Sequence, residues 1–244
     1  GLDTDGGDEE TGDEIPSGPR IHEASLDGGA YVFENTYAIS SAPNDIDWNR
    51  WALLNDGFDD RLYFLPEGRA DEVYQFALNP NSQQFEYGYN SIDQIPIVNT
   101  PGDADTSSFG MSEDGSDYHL YFADAEHRNL LGFGFDGGPQ EYVHALNTPG
   151  SAAIVDTPEG ADWSGWAIVG SDVPGGGPIS RLYVFADDTH DALLEHAYDP
   201  DGPSYRYAGT TIELDLDSHP GTPSDDFAMV DTGAVTRLYM LETR

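Results

Sequence analysis

Residues 51–63 read WALLNDGFDDRLY, and the same design returns as FGMSEDGSDYHLY at 109–121 and FAMVDTGAVTRLY at 227–239. A further copy runs from Trp166-Ala167-Ile168 to Arg181-Leu182-Tyr183, with a longer middle that contains Gly175-Gly176-Gly177. Each copy opens on an aromatic, a small and an aliphatic residue, turns at a polar or Gly-rich segment, and resumes with a basic residue before Leu-Tyr. Apolar runs bounded by such turn signals are the pattern of a β-hairpin. The opening aromatics Trp51, Phe109, Trp166 and Phe227 stand 58, 57 and 61 residues apart. A period held over three intervals is a structural repeat.

Working outward, a third strand ending in Asn or Asp is expected at Val73 to Asn79, Leu130 to Asp136 and Leu193 to Asp199. A fourth, rich in Tyr, is expected at Phe85 to Ile92, Tyr142 to Leu146 and Tyr205 to Ile212. Four short antiparallel strands per repeat are the content of one propeller blade. The last copy ends after two strands at Arg244, and its missing half lies at the other end of the chain. Ile21 to Asp27 matches the third strand and Ala30 to Ile39 the fourth. The spacing therefore predicts an all-β, four-bladed β-propeller over residues 20–244, its last blade completed by the N-terminal segment. Closure of that kind removes two open sheet edges, the main hazard of an all-β chain.

Charge narrows the partners. The chain has 46 acidic residues, 9 basic ones (all Arg) and a formal net charge of −37. Such a field repels phosphate backbones and anionic lipid, so nucleic acid and a membrane surface are not expected partners. It also suits a saline or calcium-rich medium. No run of apolar residues is long enough to span a bilayer, and with no cysteine there is neither a disulfide nor a thiolate site. Residues 1–19, GLDTDGGDEETGDEIPSGP, hold too little apolar surface to offset the entropy of ordering. They read as a flexible acidic spacer resembling those that tether secreted bacterial lipoproteins. The expected setting is secreted, cell-surface or periplasmic, tethered upstream of residue 1.

The loop entering each inner strand repeats as Pro-x-x-x-Asp-x-(Ser/Asn)-x-aromatic, giving Asp47, Asp105 and Asp162, with Asp225 two residues before Phe227. Such side chains can bond neighbouring amides and fix the turn. Ringed round one tunnel mouth, their oxygens would instead suit a hard cation, Ca²⁺ or Na⁺. Trp48 and Trp163 adjoin Asp47 and Asp162, and an indole beside a carboxylate is a sugar platform unless it packs between blades. His127 and His190 are repeat-equivalent and expected on that same rim, on adjacent blades too far apart to share a metal. His196 stands where other repeats carry Phe76 and Phe133, which makes it core. The recurring Arg61, His119, Arg181 and Arg237 are expected to answer carboxylates; guanidinium groups facing an open groove would instead favour an anionic ligand.

With a blade of this size, a small residue after a large one in the inner strand, and a Tyr in the second strand, residues 20–244 resemble the hemopexin-like class of four-bladed propellers. The resemblance implies architecture alone. That class joins its first and last blades by a cysteine clasp, which this chain lacks, so haem or metal binding is not carried over. There is no Gly-x-Ser-x-Gly elbow and no phosphate-cradling loop. The reading that follows is a non-enzymatic, monomeric binding domain for a protein or saccharide ligand through one face. A hydrolase using the tunnel mouth and a structural domain of a larger assembly are its alternatives.

Overall fold

The computed structural model describes residues 18–27, 30–55, 59–114, 117–124, 128–171, 179–187, 192–214, 227–231 and 236–243. Their regular structure is eighteen β-strands. Blade one consists of β3 (Ile46–Asn55), β4 (Asp60–Pro66), β5 (Glu72–Asn79) and β6 (Gln84–Tyr87), with β7 (Gln94–Val98) also on β5. Blade two repeats this with β8 (Phe109–Asp114), β9 (Asp117–Asp124), β10 (Asn129–Asp136), β11 (Glu141–His144) and β12 (Ala152–Val155). Blade three is β13 (Asp162–Ser171), β14 (Ile179–Phe185), β15 (Ala192–Asp199) and β16 (Ser204–Leu214). Blade four is β17 (Phe227–Asp231) and β18 (Thr236–Glu242), completed by β1 (Arg20–Asp27) and β2 (Ala30–Ser40). All pairings within a blade are antiparallel.

The seam between the chain ends has the register expected of a shared blade, with Ile21 opposite Leu241, His22 opposite Met240 and Ala24 opposite Leu238. The inner strands pack in a closed ring: β3 on β8, β8 on β13, β13 on β17 and β17 on β3. Between neighbouring blades lie four apolar clusters, each built from both inner faces. Their fully buried members include Phe64, Phe76, Phe122, Phe133, Phe185 and Phe227. Each such ring is worth about 1.5–3 kcal/mol of transfer free energy, so the inter-blade layers carry the stability.

The rim is closed as well. Short parallel ladders join β2 to β6, β7 to β11, β12 to β16 and β16 to β2, one at every blade junction. These cover outer edges that would otherwise template pairing with another chain.

One expectation is corrected in detail. The fourth strands of blades one and two are not single runs through Ile92 and Leu146. Each breaks into two, β6 then β7 and β11 then β12. The break falls where residues take left-handed backbone angles: Gly88 at φ 66° and Asn90 at 48° in one loop, Ala145 at 59° and Asn147 at 52° in the other. Two such angles in close succession turn the chain out of the pleat. In blades three and four the outer strand extends over 11 residues, β16 with a register shift around Gly209 at φ 77° and β2 with a one-residue bulge.

Candidate functional site

The mouth loops hold their aspartates to local work. Asp47 Oδ1 accepts the Asn49 amide at 3.1 Å, Asp105 Oδ1 the Ser107 amide at 2.9 Å, and Asp162 Oδ1 the Ser164 amide at 2.8 Å. This is the Asx turn, in which the carboxylate replaces a backbone acceptor. Asp47 also takes the Arg50 Nε–H at 2.7 Å on its other oxygen. Arg50, nearly buried, goes on to donate to the Thr106 carbonyl of the next blade's loop and to the Pro66 and Arg69 carbonyls. It staples the mouth of blade one to that of blade two, across a shallow groove lined by Asp47, Arg69 and Asp105. Asp225, His127 and His190 lie outside the described residues.

The axis is apolar. Trp51–Leu53, Phe109–Met111, Trp166–Ile168 and Phe227–Met229 surround a void of about 10 Å³, the threshold for holding one water. Crowding explains the small residues there: a Cβ on Gly110 would fall 2.7 Å from the Trp166 ring. Among the described residues, no group of three or more His, Asp or Glu gathers to hold a metal ion.

Trp48 and Trp163 are half-buried and pack on the inter-blade clusters. Trp48 meets Phe64 edge-on at 5.0 Å, and Trp163 lies 6.3 Å from the His196 ring. His196 is fully buried, as its place in the repeat predicts. One ring nitrogen bonds the Thr157 hydroxyl at 2.9 Å, and burial pulls its pKa down to about 4.

The fold also assembles a constellation that the sequence shows only by halves. Strand two of each blade carries the recurring basic residue and, two places on, a Tyr. Opposite that Tyr on strand three stand Gln75, Gly132, Glu195 and Glu23 in blades one to four. Tyr63, Tyr183 and Tyr239 belong to the clusters facing the next blade, so these groups look into the inter-blade clefts. In the cleft between blades three and four, Arg181 Nη1 lies 3.2 Å from Glu195 Oε1, the Arg 48 % exposed and the carboxylate 11 %. Between blades four and one, Arg237 Nε lies 3.2 Å from Glu23 Oε1, at 36 % and 3 %. Glu23 Oε2 accepts from the Tyr37 hydroxyl at 2.7 Å and from Asn35 Nδ2 at 3.0 Å. Tyr239 donates to Asp60 Oδ2 at 2.8 Å, closing a polar lattice across the junction. Burial, the Glu23 bond and its charge push the Tyr37 hydroxyl well above its ordinary pKa; burial and the nearby carboxylates do the same to Tyr239. Both stay neutral donors.

The arginine repeat was legible, and carboxylate partners are found for two of its members, Arg181 and Arg237. What sequence spacing could not supply was the identity of the partner, because Glu23 and Arg237 stand at opposite ends of the chain. In both cases a buried carboxylate sits beneath a half-exposed guanidinium, beside Tyr. Such a set can accept and donate hydrogen bonds to adjacent hydroxyl groups of one ligand.

No protein-family model and no curated protein sequence matches the chain. Solved structures to which it is similar include the SapL1 lectin in complex with alpha methyl fucoside, at 17% identity over 91% of this chain and 64% of that one, with a TM-score of 0.39. A mutant of the Aleuria aurantia lectin in complex with alpha-methyl-L-fucoside follows at 18% identity, 86% and 58% coverage, and a TM-score of 0.35. AofleA from Arthrobotrys oligospora gives 13% identity, 79% and 52% coverage, and 0.36. The chain thus spans between half and two thirds of the length of these proteins. The hemopexin-like resemblance gains no support from them.

Proposed function

We propose that this chain is a non-catalytic saccharide-binding propeller whose ligand sits in the clefts between blades, over the Arg–carboxylate pairs. The observation that carries the reading is the pair Arg181–Glu195 and its recurrence at the same register as Arg237–Glu23. A purely structural ion pair on a surface is worth at most about 1 kcal/mol and needs no buried carboxylate. Here the carboxylate is buried while the cation above it reaches solvent. Neighbouring sugar hydroxyls both donate and accept, which is what a carboxylate under a guanidinium asks of a partner. The tunnel mouth is assigned no ion, because the three described aspartates there bond the amides of their own loops. An extracytoplasmic setting belongs to the same reading, supported by the resemblance of residues 1–19 to the acidic spacers of secreted lipoproteins.

The test is titration calorimetry with methyl glycosides (α-methyl fucoside, α-methyl galactoside and α-methyl mannoside), alongside a glycan array. Binding of at least one, lost from the cleft between blades three and four in Glu195→Gln with an unchanged melting point, is the expected result. Silence across the set and the array, with capture of a protein ligand instead, would overturn the saccharide reading.

A further inference from the structure

The mouth loops of blades one and three each send an indole into the junction with the blade before. Trp48 packs on the cluster shared by blades four and one, and Trp163 on the cluster shared by blades two and three. Both stand three residues before an inner-strand Trp, whereas the residue three before Phe109 in blade two is Thr106. At the junction of blades one and two the structure has instead a groove of about 610 Å³, with Asp105, Thr106 and Ser107 on one wall and Asn49, Arg50 and Arg69 on the other. That volume is in the range of small-ligand sites. The backbone differs to match. β3 and β13 resume pairing with strand two beyond their bulges, at Ile46 opposite Pro66 and Asp162 opposite Phe185, while β8 begins only at Phe109.

The three described mouth aspartates are equivalent in sequence but not in what their turns leave over. Each gives Oδ1 to an amide of its own loop. Asp47 then gives Oδ2 to Arg50 at 2.7 Å, and Asp162 gives Oδ2 to the Ser164 hydroxyl at 2.9 Å. Among the described residues nothing donates to Asp105 Oδ2, and the Thr106 and Ser107 hydroxyls and the Asn49 side-chain amide are likewise uncommitted. The groove therefore offers one carboxylate oxygen that accepts, together with an amide and two hydroxyls that both donate and accept.

Charge then selects the class of ligand. The lining is formally neutral, Arg50 and Arg69 against Asp47 and Asp105, in a chain whose net charge is −37. Neither cation is spare. Arg50 is held by Asp47 and by three backbone carbonyls, and Arg69 by Asp45 at 3.1 Å and Glu72 at 2.7 Å. An anionic ligand finds no unmatched guanidinium here, and an ammonium group approaching Asp105 meets two guanidinium groups lining the same groove. A neutral polyol meets neither penalty, because its hydroxyls donate to the carboxylate and accept from the amide and hydroxyls.

We infer that the mouth groove between blades one and two is a binding site for a neutral sugar residue, seated where an indole sits in the loops of blades one and three. It occupies a different junction from the Arg181–Glu195 and Arg237–Glu23 pairs and does not depend on them. Arg50 sets the distance between its walls, since one guanidinium donates to the Thr106 carbonyl of blade two and to the Arg69 carbonyl of blade one. The groove is thus shaped before a ligand arrives, which lowers the cost of binding.

Site-resolved amide NMR of the full chain decides it, with α-methyl fucoside, α-methyl galactoside and α-methyl mannoside as probes and glucosamine and glucuronic acid as charged comparators. A shallow polar groove binds weakly, on the order of 1 mM, so the titrations run well beyond that. At least one neutral glycoside should shift the Asn49 and Ser107 amides, which bond the mouth aspartates, more than either charged sugar does. Thr106→Trp should abolish those shifts by placing an indole in the groove, without lowering the melting point. Asp105→Asn keeps the Asx turn and replaces the uncommitted oxygen; it should weaken binding tenfold or more, and it decides the matter if the Trp variant does not fold. Shifts confined to the surroundings of Arg181 and Glu195 would overturn this site and uphold the cleft reading, and shifts confined to the groove would do the reverse. Groove shifts that survive both variants, groove shifts strongest with a charged sugar, or silence of the groove toward every neutral glycoside would each overturn the inference.

Discussion

His22 and Glu242 lie 220 residues apart in the chain, yet His22 Nε2 is 3.1 Å from Glu242 Oε2, with both side chains buried. The other ring nitrogen of His22 meets the Thr36 hydroxyl at 2.9 Å. This contact ties β1 to β18 at the point where the ring closes. Replacing Glu242 by Ala strands a buried ring nitrogen, and the expected cost is about 1–3 kcal/mol. Urea unfolding measures it. Removing residues 20–40 opens two edges and should abolish the cooperative transition, whereas removing 1–17 should leave the midpoint where it was.

His196 makes stability depend on pH. In the unfolded chain it titrates near 6.5, and in the fold near 4 because burial disfavours the charged ring. Between those values the unfolded state binds the extra proton, so stability is full above about 6.5 and falls as pH drops toward 4. The span corresponds to roughly 3 kcal/mol at most. Phe occupies this position in blades one and two, so His196→Phe should flatten the profile between pH 6.5 and 4. Melting points measured across that range check it; an unchanged slope would assign the acid sensitivity to the carboxylates.

The axis tolerates no added volume. Gly110 faces the Trp166 ring so closely that even a methyl group must displace it. Gly110→Ala is expected to lose about 1–3 kcal/mol by overpacking, despite the gain in backbone propensity that the same change would bring on a strand surface. Thermal unfolding of the variant measures this.

The architecture was legible before any coordinates. A period near 58 residues, the incomplete last copy and the matching Ile21–Asp27 segment sufficed, because every blade buries the same face and so must repeat the same apolar pattern. The turn role of Asp47, Asp105 and Asp162 was legible as one of two readings for the same reason: an Asx turn is local, and its signature lies within a few residues. His196 as core followed from its counterparts Phe76 and Phe133.

The cleft chemistry was not legible. Arg181 recurs with its equivalents in plain view, but its partner Glu195 is chosen by cross-strand register, and Glu23 reaches Arg237 only because the ring closes. Gly132 looks like any strand glycine until the loop 145–150 is seen lying on it, with the Ala145 amide on the Gly132 carbonyl at 2.9 Å. Periodic burial writes the scaffold into the linear chain. Which side chains meet across a blade junction depends on register and loop path, which are settled only when distant segments pack.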